Sequence, residues 1–149
     1  MWTQFWAVKS RPGGQEQNGA LTAPFVIMDT IHIQNKNKSL TRPLMAGYCE
    51  SSLCRLRGLM FRADLDLQLG LLLVQPRDSR LNSAIHMLFV FMDLAVIWIN
   101  SNLTVVDTTL ARAWRLAYAP RAAAKYILEI HPDRLAEFSI GDQIEFIHE

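Results

Sequence analysis

Apolar residues crowd between Ala84 and Ile99, where AIHMLFVFMDLAVIWI is interrupted only by His86 and Asp93. A helix that crosses a bilayer needs about twenty apolar residues, so a run this short, with a carboxylate inside it, marks a protein core and no membrane span. Val90, Val96, Ile97, Ile99, Phe89, Phe91 and Trp98 are β-branched or aromatic, types that suit a pleated surface. The run predicts two consecutive strands, about 85–91 and 94–99, with Met92-Asp93 at a bend and both faces of each strand covered. A buried helix is the rival reading, because a short apolar run does not fix its own period.

The flanking pattern extends this picture. FVIMDTIHIQ at 25–34 partly alternates and predicts a strand, Asn35 to Lys38 a turn, and Leu40 to Tyr48 a returning strand in a hairpin at a sheet edge, where Pro43 is tolerable. Cys49, Leu53, Leu56 and Met60 fall at i, i+4, i+7 and i+11, the stripe of a helix, with Gly58 able to stop it in a left-handed conformation. Leu69 to Val74 predicts a third strand closed by a turn at Gln75-Pro76-Arg77-Asp78. Leu103 to Leu110 pairs antiparallel with 94–99 across the Asn100-Ser101-Asn102 turn. Tyr126 to Ile130 is a strand, Pro132 opens a short helix to about Phe138, and Gly141-Asp142 turns the chain into a last strand at 143–147. About seven strands and two short helices define a mainly β (α+β) fold.

Residues 1–22 carry Pro12-Gly13-Gly14 and a polar QEQNG stretch, a flexible-tail composition that leaves 23–149 as one globular domain. The 149 residues suffice for a single core. Half of them are hydrophobic and 19% are charged, with a formal net charge of +1. No field of that size would hold a phosphate backbone, so nucleic acid is not an expected partner. The N-terminus lacks the order of a secretory leader, which points to the cytoplasm. Cys49 and Cys54 are too few for a disulfide scaffold. On one helix they would lie about 140° apart, so both are expected as reduced, buried thiols.

RLRGLMFR at 55–62, GLLLV at 70–74, SAIHMLFVFMDLAVIWIN at 83–100, YILEI at 126–130 and GDQIEF at 141–146 occur in an order that resembles a small prokaryotic family, domain of unknown function 192. The resemblance covers about residues 45–147. It implies a compact, largely β domain, a sandwich or flattened barrel, in which the Arg-Gly-Leu-Met segment ends an early helix, the Ile-His segment starts a central strand and the Leu-Glu segment is a late strand. It implies no established activity. The chain departs from the family at Asp93 and Ala95, where many members have Pro followed two residues later by Asp, at Ala123, where Gly is usual, and in a shorter loop at 131–140.

Chemical candidates are few. His86 sits in an apolar segment, where a satisfied core histidine competes with a ligand-binding or acid–base role. Asp93 would have a raised pKa if buried without a cation, and a solvent-exposed strand end is the alternative. A nucleophilic pair of Cys54 with His86 or His131 has no local motif behind it. His32, His86, His131 and His148 show no metal-ligand spacing, and no cofactor fingerprint is present. Arg55, Arg57 and Arg62 complement the end of the predicted helix.

Two functions remain open. One is a non-catalytic binding or accessory module presenting a cleft near Arg57 and His86 to a small molecule or protein partner. The other is a small acid–base or hydrolase-like enzyme using His86 and Asp93, which extended chain would hold roughly 23 Å apart.

Overall fold

The structure is a computed structural model that describes residues 28–148. The expected tail at 1–22 lies outside those residues. Seven strands form one mixed sheet that curls into a half-barrel. They are β1 (Thr30–Asn35), β2 (Met45–Cys49), β3 (Leu69–Ser79), β4 (Leu94–Ile99), β5 (Val105–Ala111), β6 (Ala124–Ile130) and β7 (Ile144–His148), in the spatial order β5-β4-β6-β3-β2-β1-β7. The helix α1 (Ser52–Arg57) and a 3-10 turn (Pro132–Glu137) complete the mainly β architecture.

Strand β6 sits between β3 and β4 and is antiparallel to both. The hairpin β1-β2 forms as expected, but not at an edge. Strand β7 adds outside β1, and β2 pairs in parallel with β3. Alternation along the central strands divides the apolar residues between two faces. On one, Leu72, Ile97, Leu128 and Ile130 pack with Ile31, Ile33 and Phe138. On the other, Leu71, Leu73, Val96, Trp98 and Ile127 pack with Leu59, Ile85, Met87 and Val90. With both faces covered, LAVIWI of β4 is buried at all six positions, and its near-continuous apolar character follows.

The other half of the apolar run is not a strand. Residues 85–91 form irregular chain with one isolated bridge, Ile85 to Tyr118. Phe89 has φ 59°, as Phe61 and Trp114 have φ 64°, left-handed conformations that strand backbone cannot contain. The loop is held from outside itself. Ile85 and Tyr118 exchange backbone hydrogen bonds of 2.9 Å, Trp114 N–H donates to the Met87 carbonyl, and Phe61 N–H donates to the Phe89 carbonyl. Phe61 stacks on Phe89, and Trp114 meets Phe89 and Phe91 edge-on. The segment is apolar because it lids the second face: Met87 is fully buried and Val90 nearly so. The Trp98 indole N–H binds this lid to β4 by donating to the Ser83 carbonyl at 2.7 Å.

Two other expectations require correction. Strand β3 continues through Gln75 to Asp78 to Ser79, with a register shift against β6 between Val74 and Ser79 in place of a turn. The helical stripe is divided among three structures. Cys49 ends β2, Ser51 caps a helix of only six residues by accepting from Cys54 N–H, and Gly58 stops it at φ 46°. Leu53 and Leu56 are consequently exposed. Because Cys49 and Cys54 are not on one helix, their Cα atoms lie 5.7 Å apart and the two form a disulfide, not the reduced thiols expected. The bridge ties the start of α1 to the sheet.

One buried cation organises the opposite end. Arg134, 2% exposed, donates to the carbonyls of Arg42 (2.8 Å) and Leu67 (2.7 Å) and pairs with Glu137 at 2.7 Å. It thereby fastens the chain entering β2 and the chain entering β3 to the 3-10 turn. Burial of a charge is tolerated only with such partners. Replacing Arg134 with Met is expected to destabilise the fold by about 3–5 kcal/mol, since Glu137 and the carbonyls lose their donor; an unchanged denaturation midpoint would refute the assignment. Replacing both cysteines with Ala should cost roughly 2 kcal/mol for so short a loop. Thiol titration of the denatured, unreduced protein should find no free thiol.

Candidate functional site

The site lies where β6, α1 and the 84–93 loop meet. Residues 126–130 of β6 alternate, so Tyr126, Leu128 and Ile130 face one way while Ile127 and Glu129 face the other. The register sets Glu129 between Leu71 of β3 and Val96 of β4. Its carboxylate is thus carried into the middle of the second apolar face, only 4% exposed. Oε2 has no hydrogen-bond partner. Burial alone raises its pKa from 4.5 to about 7, because an apolar environment disfavours the charged form.

A cavity of about 400 Å³ opens over this carboxylate. Glu129 contributes the acid, Arg55 and Arg57 the cations and His86 the imidazole, with apolar wall from Leu73, Ile85, Val90 and Ile127. Arg57 and His86, the two residues expected to flank a cleft, do line one cavity although 29 positions separate them in the chain. The helix end and the lid bring them together. His86 lies between Ile85 and Met87, whose N–H groups donate to the Tyr118 and Arg115 carbonyls. Its Nδ1 is buried without a hydrogen bond. Arg55 is engaged by backbone, donating to the carbonyls of Val74 (3.0 Å) and Glu50. Gly58 lies over the acid: a Cβ there would stand 3.7 Å from Glu129 Oε2.

The remaining candidates lie elsewhere. Asp93 is in the loop before β4, where it accepts from Arg112 at 2.9 Å and from Ala113 N–H at 3.0 Å and does not line the cavity. Ala95, the position at which the family's Asp is missing, is fully buried in the core on the opposite face. Cys54 is bonded to Cys49, so it cannot serve as a nucleophilic thiol. His131 accepts from Asp133 N–H at the start of the 3-10 turn. Arg62 is half-buried, and desolvation lowers its pKa. Among the described residues no cluster of three His, Cys, Asp or Glu could hold a metal ion, and no helix is long and apolar enough to cross a membrane.

Glu129 escaped the sequence reading although the signal was there. Like Asp93, Glu129 is a carboxylate set among apolar residues, here inside the strand YILEI.

The fold and cavity define a class of protein: a small mixed-β half-barrel with a buried acid beneath a helix end and a lid. The chain belongs to the family of domain of unknown function 192, described as "Uncharacterized ACR", whose pattern matches residues 32–146. A UPF0127 protein of Pyrococcus horikoshii is 35% identical over 117 residues, spanning 76% of this chain and 97% of that protein. One from Thermococcus kodakarensis is 39% identical over 99 residues, spanning 65% of this chain and 61% of that protein. The chain thus spans about three fifths of that relative, and 47% of one from Thermococcus gammatolerans. A crystal structure of a protein of unknown function from Novosphingobium aromaticivorans superposes with a TM-score of 0.66 at 17% identity, covering 89% of this chain and 99% of that one. A proposed transcription regulator from Sinorhizobium meliloti gives 0.68 at 18%, covering 79% and 92%. At such identities the likeness shows the fold alone.

The raised pKa of Glu129 has a consequence for stability. Between about pH 4.5 and pH 7 the folded protein holds a proton that the unfolded chain has released. The contribution of the neutral carboxyl is therefore complete below about pH 4.5, declines as pH rises and is gone above about pH 7, a span worth roughly 3 kcal/mol. Glu129→Gln, which is neutral throughout, should match the parent near pH 5 and exceed it by about 1–3 kcal/mol near pH 8. Urea denaturation at both pH values measures this, and parallel pH curves for the two proteins would contradict it.

Proposed function

We propose that the protein is a non-catalytic binding module whose cavity, with Arg57 and His86 in its wall and Glu129 at its floor, takes a small polar molecule. One observation carries the reading: two buried polar atoms without hydrogen bonds, Glu129 Oε2 and His86 Nδ1, belong to residues lining the same cavity. Leaving a buried polar atom unpaired costs about 1–3 kcal/mol, and a ligand that supplies the missing partners recovers that energy. The cavity is of a size for small ligands and combines apolar walls with a few convergent polar groups, the usual composition of such sites.

The enzyme reading built on His86 and Asp93 gains no support, since Arg112 and Ala113 hold Asp93 outside the cavity. A near-neutral net charge supports a small-molecule partner over a nucleic acid. Disulfides persist chiefly in oxidising compartments, so the Cys49–Cys54 bridge lends no support to the expected cytoplasmic location.

A thermal-shift screen of small polar metabolites is the direct test. A true ligand should raise the melting temperature of the parent, and His86→Ala and Arg57→Ala should each remove most of that rise. Stabilisation that survives both changes would place the ligand elsewhere and reject the proposed cleft.

A further inference from the structure

One wall of the cavity is fastened unlike the rest. Arg55, Leu56, Arg57 and Gly58 belong to α1 and its cap, whereas Ile127 and Glu129 stand on β6, which the ladders to β3 and β4 fix in place. Ladder bonds of a buried sheet open rarely. The helix has no such support. Its backbone bonds run from Cys54 N–H to Ser51 Oγ, from Arg55 N–H to the Ser51 carbonyl and from Gly58 N–H to the Cys54 carbonyl, all within 51–58. None of its six residues is buried, and so short a helix does not hold itself in water. Its covalent tie to the sheet is the bridge from Cys54 to Cys49 at the end of β2, and Arg55 adds a side-chain bond to the Val74 carbonyl of β3. Leu59, 2% exposed, anchors the chain again just beyond Gly58. Residues 50–58 are therefore a span between two anchors, pinned midway by a sulfur–sulfur bond.

We propose that the Cys49–Cys54 bridge is a redox latch on the cavity: closed, it keeps α1 and Gly58 over Glu129, and opened by a dithiol reductant, it releases that wall. The inference rests on the binding reading above and names the regulation of that site. The two cysteines are five positions apart. A bridge over so short a loop removes little chain entropy from the unfolded state, and by linkage the fold does correspondingly little to resist its reduction. Cys49 is 1% exposed while Cys54 is only partly buried, so Cys54 is the end that an incoming thiolate attacks. That attack breaks the bond to Cys49, which departs as a thiolate and takes up a proton. The second thiol of the reductant then attacks the mixed disulfide, and Cys54 leaves as a thiol. The reductant departs as its own disulfide, having given two electrons and two protons. Release is felt at Gly58. A Cβ there would stand 3.7 Å from Glu129 Oε2, so when this part of the chain moves off, water reaches a carboxylate oxygen that has no hydrogen bond. Water then competes with a ligand for that oxygen, and binding weakens.

The test compares the full chain in its oxidised form with the same chain treated with dithiothreitol in the absence of denaturant, and with the double variant Cys49→Ser, Cys54→Ser as a permanently open form. Hydrogen exchange in peptides over 51–58 should be about tenfold or more faster in both open forms, while peptides of β4 and β6 change little. Carbodiimide coupling of glycine ethyl ester, read by mass spectrometry, should mark Glu129 weakly in the oxidised protein and several-fold more in the open forms. Exposed Asp133 serves as the unchanged reference. A bridge that opens only in denaturant, unchanged exchange at 51–58, or unchanged labelling of Glu129 overturns the latch. So does equal acceleration in β4 and β6, which makes the bridge a staple of the whole fold. The dithiothreitol-treated parent decides the matter even if the double variant folds poorly. If polar compounds stabilise the oxidised and open forms equally, in a His86-dependent way, the binding reading stands and the latch falls. If labelling responds but no compound stabilises either form, the binding reading falls and takes the regulation with it.

Discussion

Everything in this molecule depends on the pairing of β6 with two antiparallel neighbours. The ladder of the β4-β5 hairpin on one side and that of the β3-β2-β1-β7 group on the other are both paired to it, while separate bonds join residues 103–105 to residues 141–144. Its backbone hydrogen bonds hold the sheet together, and its side chains divide between the two cores. That constraint leaves one face of β6 with a position, 129, that a carboxylate occupies at the centre of an apolar surface. The register with β3 and β4 fixes the backbone of residue 129 on that face, so the cost of burying its carboxylate is built into the fold.

The lid and helix end that cover this face are stabilised differently from the sheet. The helix α1 has six residues and buries none of them, far too few for independent stability. Its position comes from the Cys49–Cys54 bridge, from the Ser51 cap and from Arg55 reaching back to the Val74 and Glu50 carbonyls. The 84–93 lid is irregular and is pinned through backbone bonds to residues 114–118 and through Ser83 to Trp98. A site framed by tethered loops over a rigid sheet combines a fixed acid with adjustable walls, the usual division between scaffold and function.

Several elements were legible in the chain. Strands β4, β5, β6 and β7, the 3-10 turn opened by Pro132 and the left-handed Gly58 all follow from local patterns and occur where those patterns indicate. Arg57 and His86, far apart in the chain, line one cavity. Residues 85–91 were not legible, because an apolar lid and an apolar strand read alike. What separates them is the left-handed backbone at Phe89, which is imposed by contacts with residues 61 and 114. The disulfide was hidden for a related reason: a helical spacing of apolar residues suggested one element where a strand end, a turn and a short helix stand in succession.

Composition and local pattern by themselves determined a mainly β domain with one core-sized apolar run, the family it resembles and the approximate places of most strands, since those properties depend on residues near one another in the chain. Only the tertiary structure decided which carboxylate is buried. Asp93 and Glu129 are both acids among apolar neighbours in sequence, yet Asp93 meets Arg112 in a partly exposed loop while Glu129 is buried on the sheet's second face with Oε2 unpartnered. The physical reason is that the cost of a charge is set by the solvent and counter-charges around it in space. Those surroundings are assembled from strands far apart in the chain.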